Sequence, residues 1–182
     1  VAALGGTGAD STIFERLAQL GFERVTLCLD RDGAGRAAAA RAIDRAVRAT
    51  MSPTLLVLDP KHLAPDKDPD AFVRRRGVDA WLEILKKREC AVAWRACDLL
   101  VDVTPQSLPL TRRDALARAG AWLGSLSPRY TLEQDDAVQA VAAECGYDPV
   151  AVARAFRARF WREPSRECEP RRAGAPALEW SR

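Results

Sequence analysis

The chain has 182 residues, of which 48% are apolar and 29% charged, and its net charge at pH 7 is +3. This composition is typical of a folded globular protein with one medium domain, or a core with a smaller satellite. No apolar run approaches the ~20 residues of a membrane-spanning helix, and the weak charge means that any nucleic-acid binding depends on local clusters of arginine. We therefore expect a cytoplasmic protein without a membrane partner.

The first half of the sequence alternates between strand and helix patterns. The apolar runs VTLCL and TLLVL predict strands, and the helical spacing of apolar residues between them predicts a helix. In chain order we predict a strand at 1–4 followed by the turn GGTG, a helix at about 11–20 capped by Asp10 or Ser11, a strand at 25–29, a helix at about 34–50 and a strand at 54–58. This order predicts a parallel sheet with right-handed crossovers.

The second half lacks strand patterns and is predicted to be helical. Amphipathic helices are expected near 69–76, 78–101, 111–126, 131–145 and 148–161, and a disordered tail or linker is expected from about 163. The chain is therefore predicted to have three segments, which are an α/β domain at 1–88, a helical subdomain at 89–162 and the tail at 163–182.

The five cysteines do not form a CxxC pair, and His62 is the only histidine. Zinc sites of the common type use closely spaced cysteines and histidines, so this pattern argues against a zinc site in the sequence. We expect the thiols to be reduced and mostly buried.

Two aspartates follow the strand at 25–29, in the segment LCLDRDGAGR. Asp30 and Asp32 come at the carboxyl end of an apolar strand, where open α/β sheets place their ligands. Carboxylate oxygens suit Mg²⁺, which takes only one or two carboxylates from a protein. Gly33 and Gly35 let the backbone turn sharply beside a bulky phosphate. The alternative is that the two acids merely cap the following helix.

A second acidic pair, Asp68 and Asp70, repeats this spacing after the next strand, in the segment PDKDPDAFV. The pair supplies further candidate ligands for a metal. Asp68 could equally be the N-cap of a helix that has Pro69 at its first position. Asp59 lies directly at the end of the strand, but the proline after it favours a turn residue.

Arginines recur along the helix that follows the first acidic pair. Arg41, Arg45 and Arg48 lie opposite its apolar face, and such a stripe can follow the phosphate backbone of a nucleic acid. We keep these three as weak DNA-binding candidates, with a solvated helix face as the alternative. The basic runs at 74–76 and 86–88 are interpreted as solvated surface.

These segments together resemble a known family. DRDGAGR, an alanine-rich helix, a strand and then KDPDAFVRRRG are similar to the TOPRIM domain of DnaG-type bacterial and phage DNA primases. The upstream VAALGGTGAD resembles the strand and Gly-Thr turn that precede the acids in that family. The resemblance covers residues 1 to about 88, and the helices up to about 161 are loosely similar to the helical subdomain of primases. It implies a TOPRIM-like α/β fold, a parallel sheet flanked by helices, followed by an all-α helical subdomain.

The resemblance also implies a site and an activity. Catalysis would rest on Asp30 and Asp32, and the family's cofactor would be Mg²⁺ or Mn²⁺. The reaction would be nucleotidyl transfer that makes RNA primers on single-stranded DNA during replication. Ribonucleoside triphosphates would be the substrates, and a replicative helicase in the nucleoid or replisome would be a partner. The implied metal ligands are Asp30, Asp32, Asp68 and Asp70, and the implied contacts to nucleotide phosphate are Gly35 and Arg36.

The sequence departs from the family pattern at its start. A glutamate-glycine strand precedes the Gly-Thr segment in the family, and a zinc-binding module precedes that strand. Neither lies in the sequence, which begins at Val1. We therefore expect an N-terminally truncated domain without its first strand, which would not catalyse primer synthesis on its own.

Other functions remain open at this stage. A haloacid-dehalogenase-like phosphatase would use Asp30 as nucleophile and Asp32 as acid and base. Other TOPRIM enzymes, such as topoisomerases and nucleases, share the acidic pattern, although Tyr130 and Tyr147 have no recognisable topoisomerase context. A non-catalytic module that docks a replisome partner is the alternative from a different class.

Overall fold

The computed structural model describes residues 11–100 and 103–161. The strands are β1 Arg24–Cys28, β2 Thr54–Leu58 and β3 Glu89–Cys90, and the α-helices are α1 Ser11–Gln19, α2 Gly33–Ala46, α3 Pro69–Leu85, α4 Ala91–Asp98, α5 Pro109–Gly124, α6 Thr131–Cys145 and α7 Pro149–Arg159. Short 3-10 helices lie at Pro60–Leu63 and Pro128–Tyr130. The predicted strand at 1–4 and the predicted tail from 163 lie outside the described residues.

The sheet has the order β1-β2-β3 and is mixed. β1 and β2 pair in parallel, with Cys28 opposite Leu58, as the alternation of strand and helix predicts. β3 runs antiparallel to β2, with Glu89 opposite Val57, and the sequence did not predict it. The reason is that a strand of two residues carries no apolar run and no alternation, so only its backbone pairing identifies it.

Two predicted helices differ from the observed ones. α2 ends at Ala46, about one turn before the predicted end at 50, and Val47 is its C-cap. The predicted helix at 78–101 is divided, because the chain leaves α3 at Leu85, forms β3 and enters α4 at Ala91. Within α3, Gly77 has φ 82° and ψ 172°, which interrupts the helix at the position where a break between 69–76 and 78 was predicted.

One large hydrophobic core contains residues from both sides of the predicted boundary near residue 88, among them Phe14, Leu27, Ile43, Val57, Trp94, Leu123, Val141 and Phe156. The alanine-rich face of α2 is buried in this core and brings α4 close to the sheet. A second, smaller cluster consists of Leu58, Leu63 and Phe72. It lies where β2 ends and α3 begins, so it supports the segment that carries the second acidic pair.

A polar network joins α2, α4 and α5. Arg95 of α4 donates to both carboxylate oxygens of Asp44 of α2, at 3.1 and 3.0 Å, and the indole nitrogen of Trp122 of α5 donates to Asp44 at 2.9 Å. Arg95 also pairs with Asp98 at 2.8 Å. The side chains of Arg95, Asp44 and Asp98 are largely shielded from water, so the network fixes α2 against the helical half of the chain.

None of the helices within residues 11–100 and 103–161 is long and apolar enough to cross a membrane.

Candidate functional site

The candidate site lies where β1 and β2 end. Because the two strands are parallel and Cys28 is opposite Leu58, the loops after them leave the sheet at the same edge. The first loop carries Asp30 and Asp32 into α2, and the second carries the chain through a 3-10 helix to Asp68 at the start of α3. Three of the predicted ligands therefore belong to neighbouring loops.

Asp32 and Asp68 occupy equivalent positions in these loops. Each has extended backbone geometry and caps the helix that follows, accepting a hydrogen bond of 2.7 Å from the backbone nitrogen three residues later, that of Gly35 and of Ala71 respectively. The helix-capping alternative is thus confirmed for both residues. A carboxylate that caps through Oδ1 still has Oδ2 for another partner, so capping and metal binding are compatible.

Asp30 and Asp70 differ from these caps. Asp30 is exposed, and within the described part of the chain no hydrogen bond or ion pair involves its side chain. Asp70 lies in the first turn of α3 and forms an ion pair with Arg74 at 3.0 Å, with the carboxylate 69% exposed. Asp30 is therefore the acid whose two oxygens are both available, whereas Asp70 already has a cationic partner.

Gly35 packs directly against the backbone of Asp30. A Cβ added to Gly35 would fall onto the Asp30 carbonyl oxygen and lie 3.0 Å from the Asp30 amide nitrogen. By contrast, a Cβ added to Gly33 would meet nothing within 4 Å. The requirement for glycine at residue 35 is therefore the close approach of helix α2 to the acidic loop.

Arg31, between the two acids, is a site residue that the sequence analysis missed. Its backbone N–H donates to the Lys67 carbonyl at 2.7 Å, and its side chain donates to the carbonyls of Asp66 at 2.9 Å and Pro65 at 3.1 Å. These bonds connect the two acidic loops. No local pattern in the sequence signals them, because the partners are 34 to 36 residues away along the chain.

The predicted phosphate and DNA contacts are placed on α2. Arg36 pairs with Asp98 at 2.5 Å and lies over the ring of Trp94 at 5.9 Å, with its side chain 55% exposed. Arg41 and Arg48 are exposed, whereas Arg45 is half-buried. The arginine stripe is therefore not uniformly accessible.

Asp59 is a turn residue, as the proline after it favours. It caps the 3-10 helix by accepting from the Lys61 amide at 2.8 Å and pairs with the Lys61 ammonium at 2.9 Å. Burial alone would raise the pKa of Asp59, but the hydrogen bonds and positive charge of Lys61 outweigh it and leave the pKa below its ordinary value. Asp59 is thus committed to a local structural role.

The donors at the strand ends fit a hard divalent cation. Among residues 11–100 and 103–161, no group of three or more acids, histidines or cysteines is close enough to form a ready-made cage. Mg²⁺ does not require one, because it binds through one or two carboxylates and keeps water and phosphate as its other ligands. Asp30 with two free oxygens, and Asp32 and Asp68 with one each, supply that kind of donor set.

Three comparisons place these features among known proteins. Residues 1–73 match the family described as Toprim-like. The fold is similar to the crystal structure of a DNA primase domain from Pseudomonas aeruginosa, with 21% identity and a TM-score of 0.60 over 85% of this chain and 46% of that one. It is also similar to the DnaG catalytic core, with 22% identity and a TM-score of 0.58 over 80% of this chain and 46% of that one. No curated protein matches the sequence.

The chain thus spans less than half the length of the two primase structures. The match and both structures agree with the TOPRIM resemblance and with an α/β fold followed by helices, and neither points to a haloacid-dehalogenase-like phosphatase. Residues 1–73 therefore resemble the Toprim-like family, and the chain is similar in fold to a DNA primase domain and to the DnaG catalytic core.

Proposed function

We propose that the chain is part of a DNA primase, a metal-dependent nucleotidyltransferase that joins ribonucleotides on a single-stranded DNA template. The observation that carries the proposal is the hydrogen bond of 2.7 Å from the Arg31 amide to the Lys67 carbonyl. Since Asp30 and Asp32 flank Arg31, and Asp68 follows Lys67, this bond brings three acids to one edge of the sheet. The Toprim-like match and the fold of the two primase structures support the same activity.

In this proposal Asp30, Asp32 and Asp68 hold Mg²⁺ or Mn²⁺. Asp70 contributes more weakly, because the positive charge of Arg74, which pairs with its Oδ2, opposes the approach of a cation. When bound, the cation would neutralise the triphosphate of the incoming nucleotide and the charge that develops on the transferring phosphoryl group. The acids supply the negative charge that selects a dication, and their mutual repulsion favours its binding.

The start of α2 would receive the nucleotide phosphates. Its first turn is rich in glycine and presents backbone N–H groups at the positive end of the helix dipole. Gly35 allows this turn to approach the acidic loop. Arg36 pairs with Asp98 through Nε, and its side chain is more than half exposed. The other N–H groups of its guanidinium can therefore donate to a phosphate oxygen.

The remaining partners follow from the activity. A single-stranded DNA template and ribonucleoside triphosphates are the substrates, and a replicative helicase at the replisome in the cytoplasm is a candidate partner. Arg41 and Arg48 are accessible for contact with a nucleic-acid backbone, and Arg45 is less so.

Ribonucleotide incorporation on a single-stranded DNA template tests the proposal in the full-length protein with Mg²⁺. We expect Asp30→Asn and Asp32→Asn to abolish incorporation while circular dichroism spectra remain unchanged. Asp79→Asn, an exposed acid of α3, is the matched control and retains activity. Normal primer yield from either Asp30→Asn or Asp32→Asn would refute the assignment.

A further inference from the structure

Arg31 is exposed, yet it makes three hydrogen bonds to one short loop. Its backbone and guanidinium reach the consecutive carbonyls of Pro65, Asp66 and Lys67 at 2.7 to 3.1 Å. Within the described residues, every hydrogen bond between residues 30–32 and residues 64–68 comes from Arg31. The relative position of the two acidic loops therefore depends on this side chain and its own amide.

The loop that Arg31 binds is also held by α3. Arg75 pairs with the Asp66 carboxylate at 2.7 Å, and that carboxylate is only 8% exposed. Arg76 donates to the Ala64 carbonyl at 3.1 Å. Arginines of α3 thus bind this loop, and Arg31 joins it to the acidic loop that follows β1.

We propose that Arg31 is a positioning residue that sets the separation between the carboxylates of Asp30 and Asp32 and that of Asp68. The inference rests on the proposed metal site. A cation shared between two loops needs both in place at once, so any freedom of one loop relative to the other lowers the population that is ready to bind. Arg31 removes that freedom before the cation arrives.

The fork geometry of arginine explains why this residue type suits the position. Its Nε donates to Asp66 and its Nη2 to Pro65, two carbonyls that belong to successive residues. A lysine ammonium is a point donor on a flexible stem and holds one such carbonyl less rigidly. The backbone bond to Lys67 is independent of the side chain and persists in every variant.

Titration of the purified chain with Mn²⁺, followed by electron paramagnetic resonance, tests this role directly. Compared with the wild type, Arg31→Ala is expected to weaken Mn²⁺ binding about three- to tenfold, the range for loss of two exposed hydrogen bonds from a charged donor. Arg31→Lys is expected to be intermediate. At saturating Mn²⁺ the number of sites and the spectrum are expected to equal those of the wild type, because the ligands themselves are unchanged.

Arg24→Ala is the matched control, since it removes the same charge from an exposed residue at the start of β1, the strand that precedes the Arg31 loop. Equal Mn²⁺ affinity in Arg31→Ala and wild type would overturn the positioning role while leaving the metal site intact. An equal loss in Arg24→Ala would overturn it as well, by showing a general charge effect. If the wild type binds no Mn²⁺, the proposed metal site itself fails, and with it this inference. If Arg31→Ala does not fold, the Mn²⁺ affinities of Arg31→Gln and Arg31→Lys are compared with that of the wild type instead.

Discussion

The backbone of Gly35 lies against the backbone of Asp30, with no room for a Cβ between them. This contact seats the first turn of α2 on the acidic loop, so that the same glycine serves the helix and the candidate ligand. Residue 35 must be glycine because the two backbones approach closely. Its backbone angles do not require glycine, since Gly35 is not among the glycines with positive φ in the described residues.

Gly35→Ala is therefore expected to lower the free energy of unfolding by about 1–3 kcal/mol, the range for overpacking against a backbone that must shift. It is also expected to weaken Mn²⁺ binding, because the displaced atoms belong to Asp30. Gly33→Ala is the matched control, because its new Cβ meets open space, and we expect its stability to change by less than about 0.5 kcal/mol. Urea unfolding measures both, and similar losses in the two variants would contradict this account.

The two roles of Asp32 can be separated by two substitutions. Asparagine caps helices about as well as aspartate, so Asp32→Asn keeps the bond to the Gly35 amide but loses the charge. Alanine loses both, at about 1 kcal/mol for the cap. We expect Asp32→Asn to retain thermal stability and lose Mn²⁺ binding, and Asp32→Ala to lose both. Full Mn²⁺ affinity in Asp32→Asn would show that capping is the only function of this acid.

Asp44 holds Arg95 and Trp122 together between α2, α4 and α5. Asp44→Ala leaves the Trp122 N–H without this acceptor and deprives Arg95 of two bonds, so we expect a loss of about 1–3 kcal/mol in urea unfolding. Asp79→Ala, an exposed acid on α3, is the control and is expected to be nearly neutral. A loss in Asp44→Ala no greater than in the control would mean that the network contributes nothing measurable.

The half-buried thiol of Cys97 predicts a pH dependence of stability. Burial, together with the nearby charges of Glu144 and Glu89, raises its pKa from 9.0 to about 12. The folded state therefore binds the proton more tightly than the unfolded state. Its contribution to stability is complete below the unfolded pKa and is lost as the pH rises toward the folded pKa.

Between about pH 8 and about pH 10.5 the wild type is accordingly expected to lose more stability than Cys97→Ala, as measured by urea unfolding at both values. The substitution also removes buried volume, but that effect is the same at both pH values and cancels in the comparison. Parallel losses in the two proteins would contradict a raised pKa for Cys97.

The sequence predicts the parts of this site that depend on residues close together in the chain, but not those that depend on residues far apart in the chain. The strand at 54–58 and the caps at Asp32 and Asp68 follow from patterns within a few residues, and the structure confirms them. β3 could not be predicted, because two residues carry no periodic signal. The arginine run at 74–76 illustrates the same limit. Its residues are exposed, as the interpretation as solvated surface requires, but Arg75 and Arg76 also bind the loop at 64–66, which only the folded chain brings within reach.

The small cluster of Leu58, Leu63 and Phe72 has a consequence for local dynamics. It is separate from the main core and lies beneath the segment that carries Asp68. Regions with few buried contacts open by themselves at lower free energy than the whole molecule. The amides of the segment that includes the 3-10 helix at Pro60–Leu63 and the first half of α3 would then exchange hydrogen faster than those of α4 and α6. A divalent cation that bridges the two acidic loops would slow that exchange selectively, so protection of this segment from exchange would report occupancy of the proposed metal site.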